Sequence, residues 1–353
     1  MIAARAQFTA TLLSNGKVLV AGGVDDSNDE TKHTLASAEL YDPRTGRWTA
    51  TGSMHWPRAF HTATLLKTGK VLVAGGYCTA LTLKTCPSVE DPDGAIAAAE
   101  LYDPKTGRWT VTGSMTTTRF LDTATLLPDG RVLVAGAEHA PDEHLASAET
   151  YDPATGRWTA TGSMITGRWQ HFAVGLGDDQ VLIAGGIGPA TPSAELYDAR
   201  TGRWTATGSP ISGRAQGGTA ALLADGRVLL AGGDGGGDHM LATAELYDPA
   251  TGMWTQTGAM SGPRVESAFV VLPDGRVFVV GGFAVPGGPD PPLATAEIYD
   301  PGTGAWSPAG AGSIGSFDLT ATSLPDGEVL VAGGLVQTGV TSSAELYRPA
   351  SET

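Results

Sequence analysis

Cysteine, aromatic residues, basic charge and long apolar runs are all scarce in this chain, and each scarcity removes a class of protein. Cys78 and Cys86 are the only cysteines. Their spacing is not that of a Cys-x-x-Cys zinc pair, and a disulfide and free thiols both stay open. Apolar runs are short, Val71-Leu72-Val73-Ala74 being typical. A membrane-spanning helix needs about 20 apolar residues, so none is expected and no membrane partner is expected. Met1 to Arg5 lacks the charged-then-apolar order of a secretion signal. A soluble chain is therefore expected, cytoplasmic or secreted with its signal removed. Lys and Arg number 22 against 37 Asp and Glu, a formal charge of −15. Nucleic-acid binding needs a basic surface, so that partner class is excluded. No stretch of helical length shows helical apolar periodicity.

Glycine is abundant, at 49 residues with 22 prolines, and hydrophobic residues make up 41% of the chain. That apolar fraction is enough for a sizeable core. One phrase recurs seven times, Ala38-Glu39-Leu40-Tyr41-Asp42 and its copies ending at Tyr102, Tyr151, Tyr197, Tyr247, Tyr299 and Tyr347. The tyrosines are spaced by 61, 49, 46, 50, 52 and 48 residues. A Val-Leu-Val-Ala phrase closing in a glycine pair precedes each copy, as at Gly75-Gly76. A phrase like Thr106-Gly107-Arg108-Trp109-Thr110 follows it in six copies. Each copy reads as four short strands. Asp-Gly and Thr-Gly turns between β-branched runs are hairpin chemistry. Four antiparallel strands at a period near 50 describe a propeller blade.

With the glycine pair, the spaced Tyr and the Trp set (Trp48, Trp109, Trp158, Trp204, Trp254 and Trp306), the chain resembles the kelch-repeat β-propeller family. The regular repeat is similar to bacterial kelch-type and galactose-oxidase-like propellers. The third repeat departs from the glycine pair, with Gly136-Ala137. The resemblance implies an all-β, seven-bladed propeller of four-stranded antiparallel blades over residues 1–353. The blades fall at about 1–54, 55–115, 116–164, 165–210, 211–260, 261–312 and 313–353. After Tyr347 no Trp follows, so the last blade is expected to have three strands.

Strand direction alternates within a blade, so the variable loops between second and third strands share one face with the connections between blades. This top face holds all seven histidines, His33, His55, His61, His139, His144, His171 and His239. It also holds Trp56, Trp169 and Tyr77, which lie outside the repeat pattern. Loops held by a rigid frame are where function is expected.

The first strand of each blade is innermost. Counting from the Arg that opens it, period-two alternation puts offsets one, three and five on one face. By resemblance to kelch propellers, that face looks into the channel. Offset three reads Phe8, His61, Asp122, His171, Gly218, Ser267 and Leu319. Offset one includes Phe120, Trp169, Gln216 and Phe317. This parity predicts a polar cluster of His61, Asp122 and His171 beneath an aromatic mouth. The opposite parity lines the channel with Gln7, Phe60, Leu121, Gln170, Gly217, Glu266 and Asp318.

Two imidazoles and a carboxylate suit a divalent metal (Fe, Zn or Cu), with Glu138 and His139 as a further ligand or support. They also suit metal-free acid/base work, Asp122 orienting one His. A third possibility is a solvated mouth with a structural hydrogen-bond cluster. Arg119 and Arg168 flank the cluster and have the geometry to hold a substrate carboxylate, although a repeat-wide Arg and Glu point first to structural ion pairs. The expected ligand is a small molecule in the channel mouth, touching Phe8, Trp56, Tyr77, Phe120, Trp169, Gln216, Glu266 and Phe317. The expected reaction is that of a lyase, isomerase, cyclase or hydrolase. The rival is a protein- or glycan-binding scaffold acting through Trp56, Tyr77 and Phe283. The kelch resemblance implies fold, not function. Copper-radical oxidases of this family need a Tyr–Cys crosslink with two His and a Tyr. Here the only cysteines share the Tyr77 loop, a departure that argues against that chemistry. The family's iron-dependent specifier proteins place carboxylate and His in one loop, loosely echoed by Glu138-His139 and Asp142-Glu143-His144.

Overall fold

The computed structural model describes residues 1–25, 33–79, 86, 94–138, 144–188, 193–214, 216–236, 239–285, 291–313 and 315–348. Blade two shows the common plan, with strands Thr62–Leu65, Val71–Ala74, Ala99–Asp103 and Arg108–Val111 paired in chain order. Short β-branched runs make these strands, and their turns end them. In the last turn of blade one, the Asp42 carboxylate accepts the Arg44 N–H at 3.1 Å and Gly46 takes φ +66°. A side chain there would be strained, which is why Gly closes each such turn.

Six sheets have four antiparallel strands, and blade seven has three: Thr320–Ser323, Val329–Ala332 and Ala344–Tyr347. The fold is the seven-bladed propeller that the repeat implied. The seven first strands touch in sequence around the axis, and the seventh touches the first. Apolar cores lie between neighbouring blades. Leu13, Leu19 and Ala21 of blade one pack on Val71, Val73, Tyr102 and Trp109 of blade two.

A polar latch accompanies each such core. The Trp109 indole N–H donates to the Gly52 carbonyl at 2.7 Å, and Thr51 and Tyr102 share a hydroxyl bond at 2.8 Å. The same indole bond recurs at Trp158, Trp204, Trp254 and Trp306. Each bond is worth about 1 kcal/mol net. Blade seven has no such Trp, and there Tyr347 stacks instead on Phe278 of blade six, ring centres 4.3 Å apart. Phe278 stands where the other second strands carry Leu, so a larger neighbour fills the missing indole's place.

Blade seven joins blade one without a shared strand. The Gln7 N–H donates to the Asp318 carbonyl at 3.4 Å, Gly334 N–H to the Arg5 carbonyl at 2.9 Å, and Arg5 N–H to the Thr341 carbonyl at 3.2 Å. Val18 and Val20 of blade one pack with Leu324, Leu330 and Ala332 of blade seven.

Candidate functional site

Six of the seven first strands open on a buried arginine that bonds a glycine carbonyl and a glutamate carboxylate of its own blade. Arg168 is 0% exposed. It donates to the Gly185 carbonyl at 2.8 Å, the Ser193 carbonyl at 3.0 Å, the Ser193 hydroxyl at 2.7 Å and the Glu195 carboxylate at 3.0 Å. Arg119 makes the equivalent bonds to Gly136, Ser147 and Glu149, and is also 0% exposed. Both guanidiniums are committed to the frame, in place of the substrate-holding role expected of Arg119 and Arg168. Burial lowers the basicity of Arg168, with Glu195 opposing the shift.

Two residues further on, the backbone leaves the extended region. Gln7, Phe60, Leu121, Gln170, Glu266 and Asp318 all have φ between 50° and 57°, and Gly217 has φ 67°. Each non-glycine residue there costs about 1–2 kcal/mol. The cost secures a run of six main-chain bonds around the axis, from Gly217 through Gln7 to Gln170. Phe60 N–H donates to the Gln7 carbonyl at 3.1 Å, Leu121 to Phe60 at 3.3 Å, and Gln170 to Leu121 at 3.1 Å. Glu266 donates to Gly217 at 2.8 Å, Asp318 to Glu266 at 3.2 Å, and Gln7 to Asp318.

The left-handed residue resets the alternation on which the channel prediction rested. Offset three therefore turns toward the preceding blade and not toward the axis. A side chain at Gly22 of blade one would lie 2.6 Å from the His61 ring, and one at Gly136 of blade three 2.6 Å from the His171 ring. Asp122 lies in the same way against Gly75 of blade two, and Phe8 against Gly333 of blade seven. His61, Asp122 and His171 thus occupy three separate blade interfaces, each nearly buried. His61 Nε2 meets the Thr9 hydroxyl at 3.0 Å and His171 Nε2 the Thr123 hydroxyl at 2.8 Å. Burial, reinforced by Arg58, takes the His61 pKa well below the usual imidazole range. Burial and Arg168 lower that of His171 to about 3. Burial raises Asp122 to about 7, Arg119 opposing it only in part. The structure does not assemble the three as one set of ligands, and no group of three or more His, Cys, Asp or Glu suited to a metal ion occurs among the described residues. Glu138 is drawn into main-chain bridges with Phe120 and His144. His139, Asp142 and Glu143 lie outside the described residues, as does the side chain of Gln216.

The seven left-handed positions instead form the mouth, matching the opposite parity. One arc is apolar: Phe60 stacks on Tyr77 with ring centres 5.8 Å apart, Tyr77 meets Phe120 at 5.9 Å, and Leu121 follows Phe60 in the ring. The other arc is polar and runs through Gln170, Gly217, Glu266, Asp318 and Gln7. The Gln7 side-chain amide donates to the Asp318 carboxylate at 2.9 Å. That bond fixes the amide's orientation and leaves the Gln7 side-chain oxygen without a partner; the Gln170 side-chain oxygen is also unpartnered. Burial, and the Asp318 charge beside it, raise the Glu266 pKa to about 8. The Tyr77 hydroxyl is raised by burial and by the same Asp318 charge. Gly217 leaves room for blade six to approach, since a side chain there would lie 2.3 Å from Val265 and 2.8 Å from the Glu266 main-chain nitrogen.

Of the remaining expected contacts, Tyr77, Phe120 and Glu266 stand at this mouth. Phe8 belongs to the interface of blades seven and one. Phe317 makes an edge-on pair with Phe283 at 5.5 Å, and the Trp169 indole nitrogen is buried without a partner. Trp56 lies beside His55, ring centres 5.9 Å apart, with its main-chain N–H donating to the Glu100 carboxylate at 3.3 Å. Gln7, Gln170 and Asp318 were passed over as site residues. The glycine at the matching place in blade five, Gly217, was the one sequence signal of a positive φ there. Cys78 and Cys86 form a disulfide.

Comparison with known proteins follows this geometry. A kelch-motif family model matches residues 6–55 and 267–311. An F-box/kelch-repeat protein of Arabidopsis thaliana is 37% identical over 118 residues, covering 31% of this chain and 23% of the relative. The chain thus spans about a quarter of the length of that curated relative. A fungal alcohol oxidase of the AA5 family, solved in complex with copper, superposes with a TM-score of 0.77 over 98% of this chain and 74% of that one, at 19% identity. That likeness concerns the fold alone. The residues of this chain do not fit a Tyr–Cys copper-radical centre, because its cysteines bond each other and His61 and His171 sit in different interfaces. The repeat, the seven sheets and the matched motif together identify the chain as a kelch-repeat β-propeller.

Proposed function

We propose that the protein binds a small molecule at the top of its channel and acts on it by acid/base chemistry through Glu266 and Asp318. The observation that carries this reading is the pair itself, two carboxyl groups on positions joined by a main-chain bond, with burial and the Asp318 charge raising the Glu266 pKa to about 8. Two such groups cannot both ionise cheaply, so one serves as acid while the other serves as base. Gln7 donates to Asp318, which favours the ionised form there and leaves the proton on Glu266. Glu266 is then the proton donor and Asp318 the acceptor. That division suits a lyase, isomerase, cyclase or hydrolase.

The surroundings bound the ligand. The polar arc offers the Asp318 carboxylate as an acceptor, beside the buried, unpartnered side-chain oxygens of Gln7 and Gln170. A ligand that fits it presents N–H or O–H donors along one edge, as a small amine or polyol does. Its other side is apolar, against Phe60, Leu121 and Tyr77. A mostly apolar recess with a few convergent polar groups is the usual ligand-site profile.

The test is ligand-observed NMR with a panel of small amines, polyols and donor-bearing heterocycles. Binding to the wild type that disappears in the Glu266→Gln, Asp318→Asn double variant is expected. Binding that persists unchanged in that variant overturns the reading.

A further inference from the structure

Blade seven lacks the arginine that the other six blades bury. Ser316 stands in its place, 17 residues before Gly333, as Arg5 stands 17 residues before Gly22. The partners that such an arginine would use remain. In blade one the guanidinium donates to the Gly22 carbonyl at 2.7 Å, the Ser37 carbonyl and hydroxyl at 3.2 Å each, and Glu39 at 2.8 Å. The matching groups of blade seven are Gly333, Ser343 and Glu345. They line a cleft between blades six and seven with about 100 Å³ of space, and Ser316 lies on its wall. That is room for about three waters, or for the four heavy atoms of a guanidinium.

The charge there is left over as well. The six paired glutamates are 0–3% exposed. Glu345 is partly exposed, and its described partners are the N–H and hydroxyl of Ser313. Those bonds match the ones that Ile2 and Ala3 make to Glu39. No cation among the described residues pairs with Glu345. Leu293, Ala294 and Leu346 give the cleft an apolar rim that suits an alkyl stem.

We propose that this cleft is a binding site for a guanidinium group supplied from outside the chain. Four copies of the occupied site within the same molecule, at Arg5, Arg119, Arg168 and Arg264, define its geometry: two carbonyls, a hydroxyl and a carboxylate around one guanidinium. A planar fork of N–H donors meets that set and a round ammonium does not. The free guanidine of a small metabolite and an arginine side chain of a partner share the chemistry. None of the seven mouth residues lines this cleft, so the acid/base reading and this one stand or fall separately.

The experiment is calorimetric titration of the whole protein with agmatine, with a capped peptide carrying one arginine, and with n-butylamine. Agmatine or the peptide is expected to bind saturably, and n-butylamine at least about tenfold more weakly, the margin of forked over single-point pairing. A tighter peptide assigns the site to an arginine side chain, a tighter agmatine to a free small guanidine. Glu345→Gln is expected to weaken binding about tenfold or more, the effect of losing a charged hydrogen-bond partner. Ser316→Arg is expected to supply the missing group internally, raise the melting temperature and abolish binding. Equal binding of n-butylamine, undiminished binding to Ser316→Arg, or no saturable binding of either guanidine up to about 10 mM overturns the proposal.

Discussion

Replacing Glu266 by Gln is expected to stabilise the protein, and only at higher pH. The folded state holds the Glu266 proton up to about pH 8, against an ordinary value of 4.5. The unfolded chain gives that proton up near pH 4.5. Between these values the folded state binds more protons than the unfolded one, so stability falls as pH rises. Below the window both states are protonated and the group contributes nothing. Above it the full penalty is present. At about 1.4 kcal/mol per unit the shift corresponds to about 5 kcal/mol. Glu266 is partly exposed at the mouth, and screening by solvent brings the expected figure to about 2 kcal/mol. Gln keeps the shape of the protonated acid and cannot ionise. Urea unfolding of wild type and Glu266→Gln at pH 5 and pH 8.5 provides the assay. A near-equal midpoint at pH 5, and a variant more stable by about 2 kcal/mol at pH 8.5, is the expected pattern. In an Asp318→Asn background the gain should shrink, because the neighbouring charge is gone. A gain that is equal at both pH values, or a loss at pH 8.5, refutes the reasoning.

Two further outcomes follow from the blade interfaces. Asp122→Leu should stabilise the protein by about 1–3 kcal/mol at neutral pH, the cost of a buried polar group without a partner. Both carboxylate oxygens of Asp122 are unpartnered, and blade seven already carries Leu319 at this place. A fall in thermal midpoint would show that Asp122 has a partner or a packing role of its own. Nitrogen-detected NMR of the imidazoles should find His61 and His171 neutral at pH 5, where exposed histidines are charged. Both rings charged at that pH would contradict their burial at the interfaces.

The fold was legible because each blade repeats a local code. Turn glycines, the Tyr–Trp pair and the Arg–Glu pair each act within one blade or across one interface, and seven copies make the pattern plain. The missing fourth strand of blade seven was legible from one absent Trp. The mouth was read with the wrong parity. Alternation holds only while the backbone stays extended, and six non-glycine residues between the Arg and the strand do not. Of these, Phe60, Leu121 and Gln170 carry no sequence mark of that conformation; Gly217 alone does. His61 and His171 stood out by type, yet each is a local solution to packing against a glycine. Glu266 was among the expected ligand contacts, but its coupling to Asp318 was not legible, because it depends on neighbouring blades meeting at the axis.

The ring at the axis separates what folds the protein from what the protein can recognise. Its bonds run entirely through main chain, so they impose a backbone angle but no side-chain identity. Each blade but the fifth, where a side chain at Gly217 would meet Val265, therefore presents one position whose chemistry is free to drift while the cores and latches stay fixed. Exchange there is limited mainly by tolerance of the left-handed backbone, which favours Gly, Asn and Asp over branched residues. A library confined to residues 7, 60, 121, 170, 266 and 318 would sample new binding specificities on an unchanged frame.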